Sequence, residues 1–548
     1  MKLLDKDWKV VSLVAASIFV SLSMLYLSDI GLVSYDMYNH MAFAKHYAKN
    51  WFSTTIPWLG GGLDISSYPP LVFQLMALLT YLPFVPLIGA YILLTSIFTA
   101  LLGYSVALFT GEWLDYPISR NAVLIGVAFS PAVLKAVVAF GQLTTLVGLT
   151  FGFLSLFLLN RYLEKGGKET LLLLSLSTAL TAFSHHLSAL LTLIGLIGVA
   201  ILNIRSFTAE KAKPLLVAAI STLTLTVVGL LPALREFLGG EVVHETIPHL
   251  SRHPFKTSKA TDLFLTSSYG PAIIGFLYPL LRRGEQELKL YLLALFFAIL
   301  GLGMATPLPE ILFGGLASWL TYDRFTLVSA LLFTAFLSVH ARKNISRKHF
   351  LILITALYIL GSFLLAFHAH SLVFGKPFQG VHTDEERQAT LEFLNQNASS
   401  EYRYQTFGYG APIGDIYFYT GVPTLDTIYF SGRKIPWIKR SGIAEIDQAD
   451  RGFFRNFMSH TDNYSVKYVF TYEKRYRDWM NRSSWTPESL AEGVTLWTKT
   501  EEPEAVKKVE TEKNVWFGII PPATLIMLIL SLWNLKGRKE TPIGIGET

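Results

Sequence analysis

Residues 68–86 read YPPLVFQLMALLTYLPFVP, and whether this run crosses a membrane decides how the whole chain is threaded. It is apolar, but its core is short against the roughly 20 residues a helix needs to cross about 30 Å of hydrocarbon. Pro69 and Pro70 suit the first turn of a helix, where a missing backbone N–H costs nothing. Counting the run as a span inverts every later loop and turns the basic loops NRYLEKGGK (160–168) and HARKNISRKH (340–349) outward. Reading it as an interfacial or re-entrant helix keeps them inside.

The rest of the chain favours the second choice. It has 548 residues, 51% hydrophobic and only 16% charged, with a mean hydropathy of +0.41, which points to a polytopic membrane protein rather than one soluble core. Twelve spans are expected, at 10–30, 89–110, 121–138, 143–159, 171–184, 187–202, 214–233, 267–281, 290–304, 325–339, 350–369 and 515–534. The first is too long for a signal-peptide core and lacks a small-residue cleavage site, so it is read as retained. With the N-terminus cytoplasmic, the inner segments hold 20 Lys and Arg in 65 residues, against 7 in the longer outer segments before residue 371. That is the positive-inside bias. The net charge of +6 is spread through these short loops rather than gathered in a patch, which argues against nucleic acid as a partner. There are no cysteines, so disulfides, thiolate metal sites and cysteine nucleophiles are excluded.

Three segments follow: a membrane module at 1–370 with a large first outer loop at 31–88, a soluble exterior unit at 371–513, and a final span with a short cytoplasmic tail at 514–548. The exterior unit reads as small and α/β. In TDEERQATLEFLNQ, Thr383 stands three before Glu386 as in a capping box, and VKYVFTY has strand character. Sequons occur at Asn397, Asn463 and Asn481.

The polar residues of the membrane module collect on the outer side. In YDMYNH, Asp36 and His40 are four apart and share a face if the loop opens as a helix. Asp36 is followed by Trp51, Trp58, Gly60 to Gly62 and the turn at Tyr68; His40 divides between function and packing, and His46 reads as an ordinary loop residue. In LTYDRF, Arg324 can hold a phosphate bidentately or pair with Asp323. Lys135 lies just inside a helix end, where its charge must snorkel or find an anion. Gln142 either satisfies its turn or meets substrate. His185 and His186 are adjacent, point to different faces and lack any metal-binding spacing; one of them is placed to hydrogen-bond a substrate. The loop 241–262, with His244, His249 and His253, suits a segment that orders over substrate, with no single residue marked out.

This pattern resembles the GT-C class of membrane glycosyltransferases, in particular the enzymes that use polyprenyl-phosphate sugars. Asp36 matches the acidic position of the first outer loop in that class, YPPL at 68–71 is similar to its proline-containing interfacial helix, and Arg324 is similar to the arginine turned to the donor phosphate. YRYQTFGYG, TGVPTLDTIYF and VKYVFTYEK also resemble uncharacterised prokaryotic members labelled as pyruvoyl-tetrahydropterin-synthase-related membrane proteins, a label for which the sequence shows no pterin chemistry. The resemblance implies a mainly α, GT-C-like fold and a glycosyltransferase that moves a hexosyl or pentosyl unit from a polyprenyl-phosphate donor to an exterior hydroxyl on a lipid, glycan or protein. It implies Asp36 as catalytic base and His40, Tyr68, Lys135, Gln142, His185, His186 and Arg324 as substrate-binding residues, surrounded by membrane lipids. The WWDYG acceptor motif of oligosaccharyltransferases is absent, and AFGQLTT lacks their metal-binding acidic pair, so a metal-independent, inverting monosaccharide transferase without cofactors is the closer analogy. A lipid-linked sugar flippase and a noncatalytic polysaccharide-assembly component remain alternatives.

Overall fold

A computed structural model describes residues 2–27, 34–114, 119–238, 249–281, 284–374 and 385–537, the last stretch apart from positions 411, 412, 430, 431, 444, 482, 500, 508 and 510. His244 and the capping residue Thr383 lie outside the described residues. The helix expected after Thr383 is present at Glu385–Asn397.

The stretch at 68–86 forms one helix of nine residues, Leu71–Leu79, led in by Pro70. At 1.5 Å per residue it rises about 14 Å, half of what a crossing requires. The chain then turns and enters the 28-residue helix Leu87–Leu114.

The chain is an integral, multi-pass membrane protein. Among the described residues, eight helices are long and apolar enough to span: Asp7–Leu27, Leu87–Leu114, Arg120–Phe140, Leu143–Lys165, Ala209–Gly229, Asp323–Asn344, Lys348–Phe374 and Val515–Leu535. The count of twelve is therefore not reproduced at full length. Three of the other expected spans are 17-residue helices, Lys168–Ser184, His186–Leu202 and Glu285–Gly301. The fourth, at 267–281, is broken at Gly270–Ala272 before the helix Ile273–Leu281.

Leu143–Lys165 is the hub, packed against Leu87–Leu114, Lys168–Ser184 and His186–Leu202. Small residues let the last of these close in: a Cβ at Gly148 would lie 2.6 Å from Ser188 Cβ, and one at Gly152 would collide with Thr192 Oγ1. Such contacts do the work that the hydrophobic effect cannot do in lipid. Lys348–Phe374 is the opposite case, with Leu353, Leu357, Leu360 and Leu364 all exposed. An apolar helix bare on so much of its circumference is stable only against hydrocarbon.

After Phe374 comes the α/β unit. Its sheet has strands β3 (Arg403–Phe407), β4 (Val466–Thr471), β5 (Thr486–Ala491) and β6 (Val494–Thr498) in the order β3-β4-β6-β5. The β3/β4 pair is parallel and the other two are antiparallel. The expected VKYVFTY strand is thus β4. A ribbon of β1 (Thr55–Ile56) and β2 (Leu63–Asp64) in the first loop pairs antiparallel, and Leu63 forms a further bridge to Arg433. The helix Ile413–Thr420 packs on both Glu385–Asn397 and Met37–Lys49, and the buried ion pair Arg387–Asp415, at 2.9 Å, ties it to the former. The α/β unit is thereby seated on the first loop.

Candidate active site

Asp36 begins the helix Met37–Lys49 as its N-cap, yet its side chain makes no capping bond. Aspartate is among the best capping residues, and forgoing that bond gives up on the order of 1 kcal/mol. The carboxylate is half-buried and turned elsewhere. The backbone that carries it is held from below, where Tyr35 N donates to Ala139 O at 3.2 Å and Asp36 N to Phe140 O at 2.9 Å. These carbonyls lie in the wide π-helical turn Ala136–Phe140, which ends at Gly141 with φ +66°. A Cβ at Gly141 would sit 2.5 Å from Ser34 Oγ and 2.9 Å from Met37 N. Glycine is required both by the left-handed backbone and by this close approach.

Arg324 enters from the first turn of Asp323–Asn344. It pairs with Asp323 beside it. Gln142, with its amide oxygen turned to the guanidinium, accepts from Arg324 Nη2 at 3.0 Å and Nη1 at 3.2 Å. Arg324 Nε is buried with no hydrogen-bond partner among the described residues. The guanidinium and the Asp36 carboxylate attract each other. Burial pushes the Asp36 carboxyl up to about 7, against the pull of Arg324 and with the negative charges of Asp323 and Glu445 adding to the rise. A carboxyl poised there can take up a proton at neutral pH.

Tyr68 is the centre of an aromatic wall. Its ring lies 5.2 Å from Tyr429, 5.3 Å from Phe73, 6.1 Å from His186 and 6.2 Å from His40. Its hydroxyl is 3.5 Å from both His40 Nε2 and Thr144 Oγ1. His40 is buried, and burial pulls its imidazole down to about 3, so it is neutral at physiological pH. His186 is exposed and feels the charge of Arg324. His185 is different: its Nδ1 accepts from Ser188 N at 3.3 Å and caps the helix that follows.

All eight sequence-derived candidates therefore converge on one end of the bundle, but several do something other than expected. Lys135 does not snorkel. It is buried, donates from Nζ to Leu263 O at 2.9 Å and to Ser268 Oγ, and lies over the Phe264 ring. The segment 263–268 folds back onto the helix end and supplies the acceptors for Lys135. Gln142 spends its side chain on Arg324 rather than on its own turn. His46 is a buried helical residue whose Nε2 is 3.2 Å from Ser53 O, not a loop residue.

Four residues not singled out from the sequence join the site. Tyr35 donates its hydroxyl to Glu445 of the α/β unit, Tyr429 of the same unit meets the Tyr68 ring edge-on, and His249, pulled down to about 4 by burial, feels Asp323. Nothing in the segment AEIDQAD distinguishes Glu445 from a solvated carboxylate; only the docking of the unit does. Among the described residues no group of three His, Asp or Glu side chains is arranged to hold a metal ion.

No family model matches the chain, and no curated protein matches it significantly. Solved structures do resemble it. ArnT from Cupriavidus metallidurans bound to undecaprenyl phosphate aligns over 89% of this chain and 97% of its own, at 10% identity and a TM-score of 0.52. The arabinofuranosyltransferase AftD from Mycobacteria aligns over 90% of this chain and 41% of its own, at 11% identity and a TM-score of 0.52. These likenesses are of architecture, and on them the fold of this chain is that of the GT-C membrane glycosyltransferases.

Proposed function

We propose that the protein transfers a sugar from a polyprenyl-phosphate donor to an acceptor hydroxyl at the outer face of the membrane, with the α/β unit exterior and the N-terminus cytoplasmic. The observation that carries this reading is the meeting of Asp36 with Arg324, 288 positions apart in sequence, in one electrostatic site on a fold shared with such enzymes. The lipid tail of the donor would lie in the bilayer among the spans and its phosphate at Arg324. Asp36 takes the proton of the acceptor hydroxyl as that oxygen bonds to the anomeric carbon. The carbon–oxygen bond to phosphate breaks, its electron pair leaves on the phosphate, and the anomeric centre inverts. Arg324, held by Asp323 and Gln142, stabilises the leaving polyprenyl phosphate. Tyr68, His40 and His186 form the wall against which the sugar or acceptor packs.

The test is transfer by purified protein in detergent, without any ion gradient, from radiolabelled undecaprenyl- and dolichyl-phosphate glucose, mannose and arabinose into a native membrane extract. Labelled product from the wild type, lost by about a hundredfold to ten-thousandfold in Asp36→Asn, supports the reading. Undiminished transfer by Asp36→Asn ends the general-base assignment, and movement of donor across vesicles without product favours a flippase.

A further inference from the structure

We infer that Glu445 is a positioning residue of this site, the side chain through which the α/β unit holds the Tyr35–Asp36 turn facing Arg324. The inference rests on Asp36 being the reacting carboxylate. The two backbone bonds to Ala139 and Phe140 fix the height of the turn over the bundle. They leave its sideways orientation to the Tyr35 side chain, and that side chain ends on Glu445 Oε1.

Glu445 is itself rigidly mounted. It precedes the turn Ile446–Gln448, in which Ile446 and Asp447 are fully buried. The Asp447 carboxylate accepts from Tyr409 N at 3.1 Å and Gly410 N at 2.6 Å, and its backbone carbonyl accepts from Gly408 N at 2.9 Å. These bonds tie the turn to the end of β3. The orientation of Asp36 is thus referred to the sheet of the α/β unit as well as to the membrane bundle. A catalytic group held from two sides is pre-organised, and a misplacement of about 1 Å can cost on the order of a hundredfold in rate.

The link is also electrostatic. Asp36 faces Arg324 and Asp323 from the Asp323–Asn344 helix and Glu445 from the α/β unit. It also faces Tyr417 from that unit, Tyr68 from the proline turn, Tyr91 from the Leu87–Leu114 helix, and Tyr35 beside it. Of these, Glu445 is the acidic group delivered by the α/β unit, and its negative charge favours the protonated form of Asp36.

Two variants separate tether from charge. Glu445→Gln keeps an acceptor for Tyr35 and removes the charge, whereas Glu445→Ala removes both. The readout that needs no substrate is the pH-difference infrared spectrum of the purified protein, in which the protonated-carboxyl band missing from Asp36→Asn reports Asp36. In Glu445→Gln that band should vanish at a lower pH than in the wild type. In the transfer assay, Glu445→Ala should lower kcat about tenfold to a hundredfold with little change in donor KM, and Glu445→Gln should recover most of that loss while moving the acid limb to lower pH. An Asp36 band with the wild-type midpoint in Glu445→Gln, or full kcat in folded Glu445→Ala while Asp36→Asn is inactive, overturns the inference and leaves the function standing. Full activity of Asp36→Asn ends the general-base assignment, and the inference with it, while the transfer activity itself stands.

Discussion

Gln142 and Arg324 meet with the amide oxygen 3.0 and 3.2 Å from two guanidinium nitrogens, and Asp323 takes the guanidinium from another direction. The Arg324 side chain is therefore fixed before any ligand arrives, while its buried Nε has no partner among the described residues. A guanidinium locked this way presents a fork of fixed geometry, and an unpartnered buried N–H becomes worth more when an anion supplies the missing acceptor.

Replacing Arg324 by Lys keeps a positive charge and loses the fork. Transfer should fall on the order of a hundredfold to a thousandfold, the range seen when one donor to a developing oxyanion is removed. Gln142→Ala leaves the guanidinium in place with its Asp323 pair, so its loss should be smaller. Titration of undecaprenyl phosphate against each purified variant, beside single-turnover transfer, separates binding from chemistry. Equal binding and rate in Arg324→Lys would remove the phosphate role.

The carboxyl of Asp36, raised by burial to about 7, sets a pH dependence whose sign is fixed by its role. A general base must be unprotonated, so kcat/KM should rise through about pH 7 and level off above it. In Arg324→Gln the attraction that holds Asp36 down is gone, and the rise should move to higher pH. A rate independent of pH between 5 and 8 would show that Asp36 does not exchange the proton in the rate-limiting step.

Hydropathy and the Lys/Arg bias made the bundle legible, because apolar length and loop charge are local properties of sequence. The short helix after Pro70 was legible for the same reason: two prolines and a nine-residue apolar core leave little else. Asp36 and Arg324 could be chosen because each carries a charge where a span begins or ends. Lys135 reads from sequence as a substrate-binding residue and Glu445 carries no signal at all, because what they touch lies 128 to 410 positions away along the chain, at Leu263 and Tyr35. Tertiary docking decides such contacts. The shorter expected spans have another cause: segments such as 171–184 and 187–202 are apolar enough, but their helices stop at the His185 break and reach 17 residues.

The turn after Leu71–Leu79 makes a prediction about the bilayer. Phe84 is fully exposed and has φ +66°, a conformation that bulky residues rarely adopt, and Tyr81 and Leu82 beside it are also exposed. The spanning helix Leu87–Leu114 begins three residues later. Phe84 should therefore dip into lipid. Because the chain has no cysteine, Phe84→Cys takes a single nitroxide label. In proteoliposomes its power saturation should respond to oxygen far more than to a water-soluble nickel complex. The reverse preference would place the turn in water.

The α/β unit carries a proton that should show in its stability. Thr406 Oγ1 lies 2.9 Å from Asp426 Oδ2 and 2.9 Å from Asp447 Oδ1, both carboxyls being fully buried. One hydroxyl has one hydrogen to give, so one of the two carboxyls must donate to it, and the pair retains a proton. Burial and the neighbouring charge push Asp426 up to about 8, and burial pushes Asp447 up to about 6. A carboxyl whose folded value lies above its unfolded value stabilises the fold most fully below the unfolded value, near 4, and loses that contribution as pH rises through the folded value. Thermal unfolding of the α/β unit should therefore shift to lower temperature from about pH 4 to about pH 8 and level off above it. Asparagine at 426 imitates the protonated acid, so Asp426→Asn should flatten this decline and unfold at a higher temperature than the wild type at pH 9. A melting profile of the wild type that is level across the range, or equally steep in Asp426→Asn, would mean that both carboxyls are ionised in the fold and that Thr406 does not bridge them.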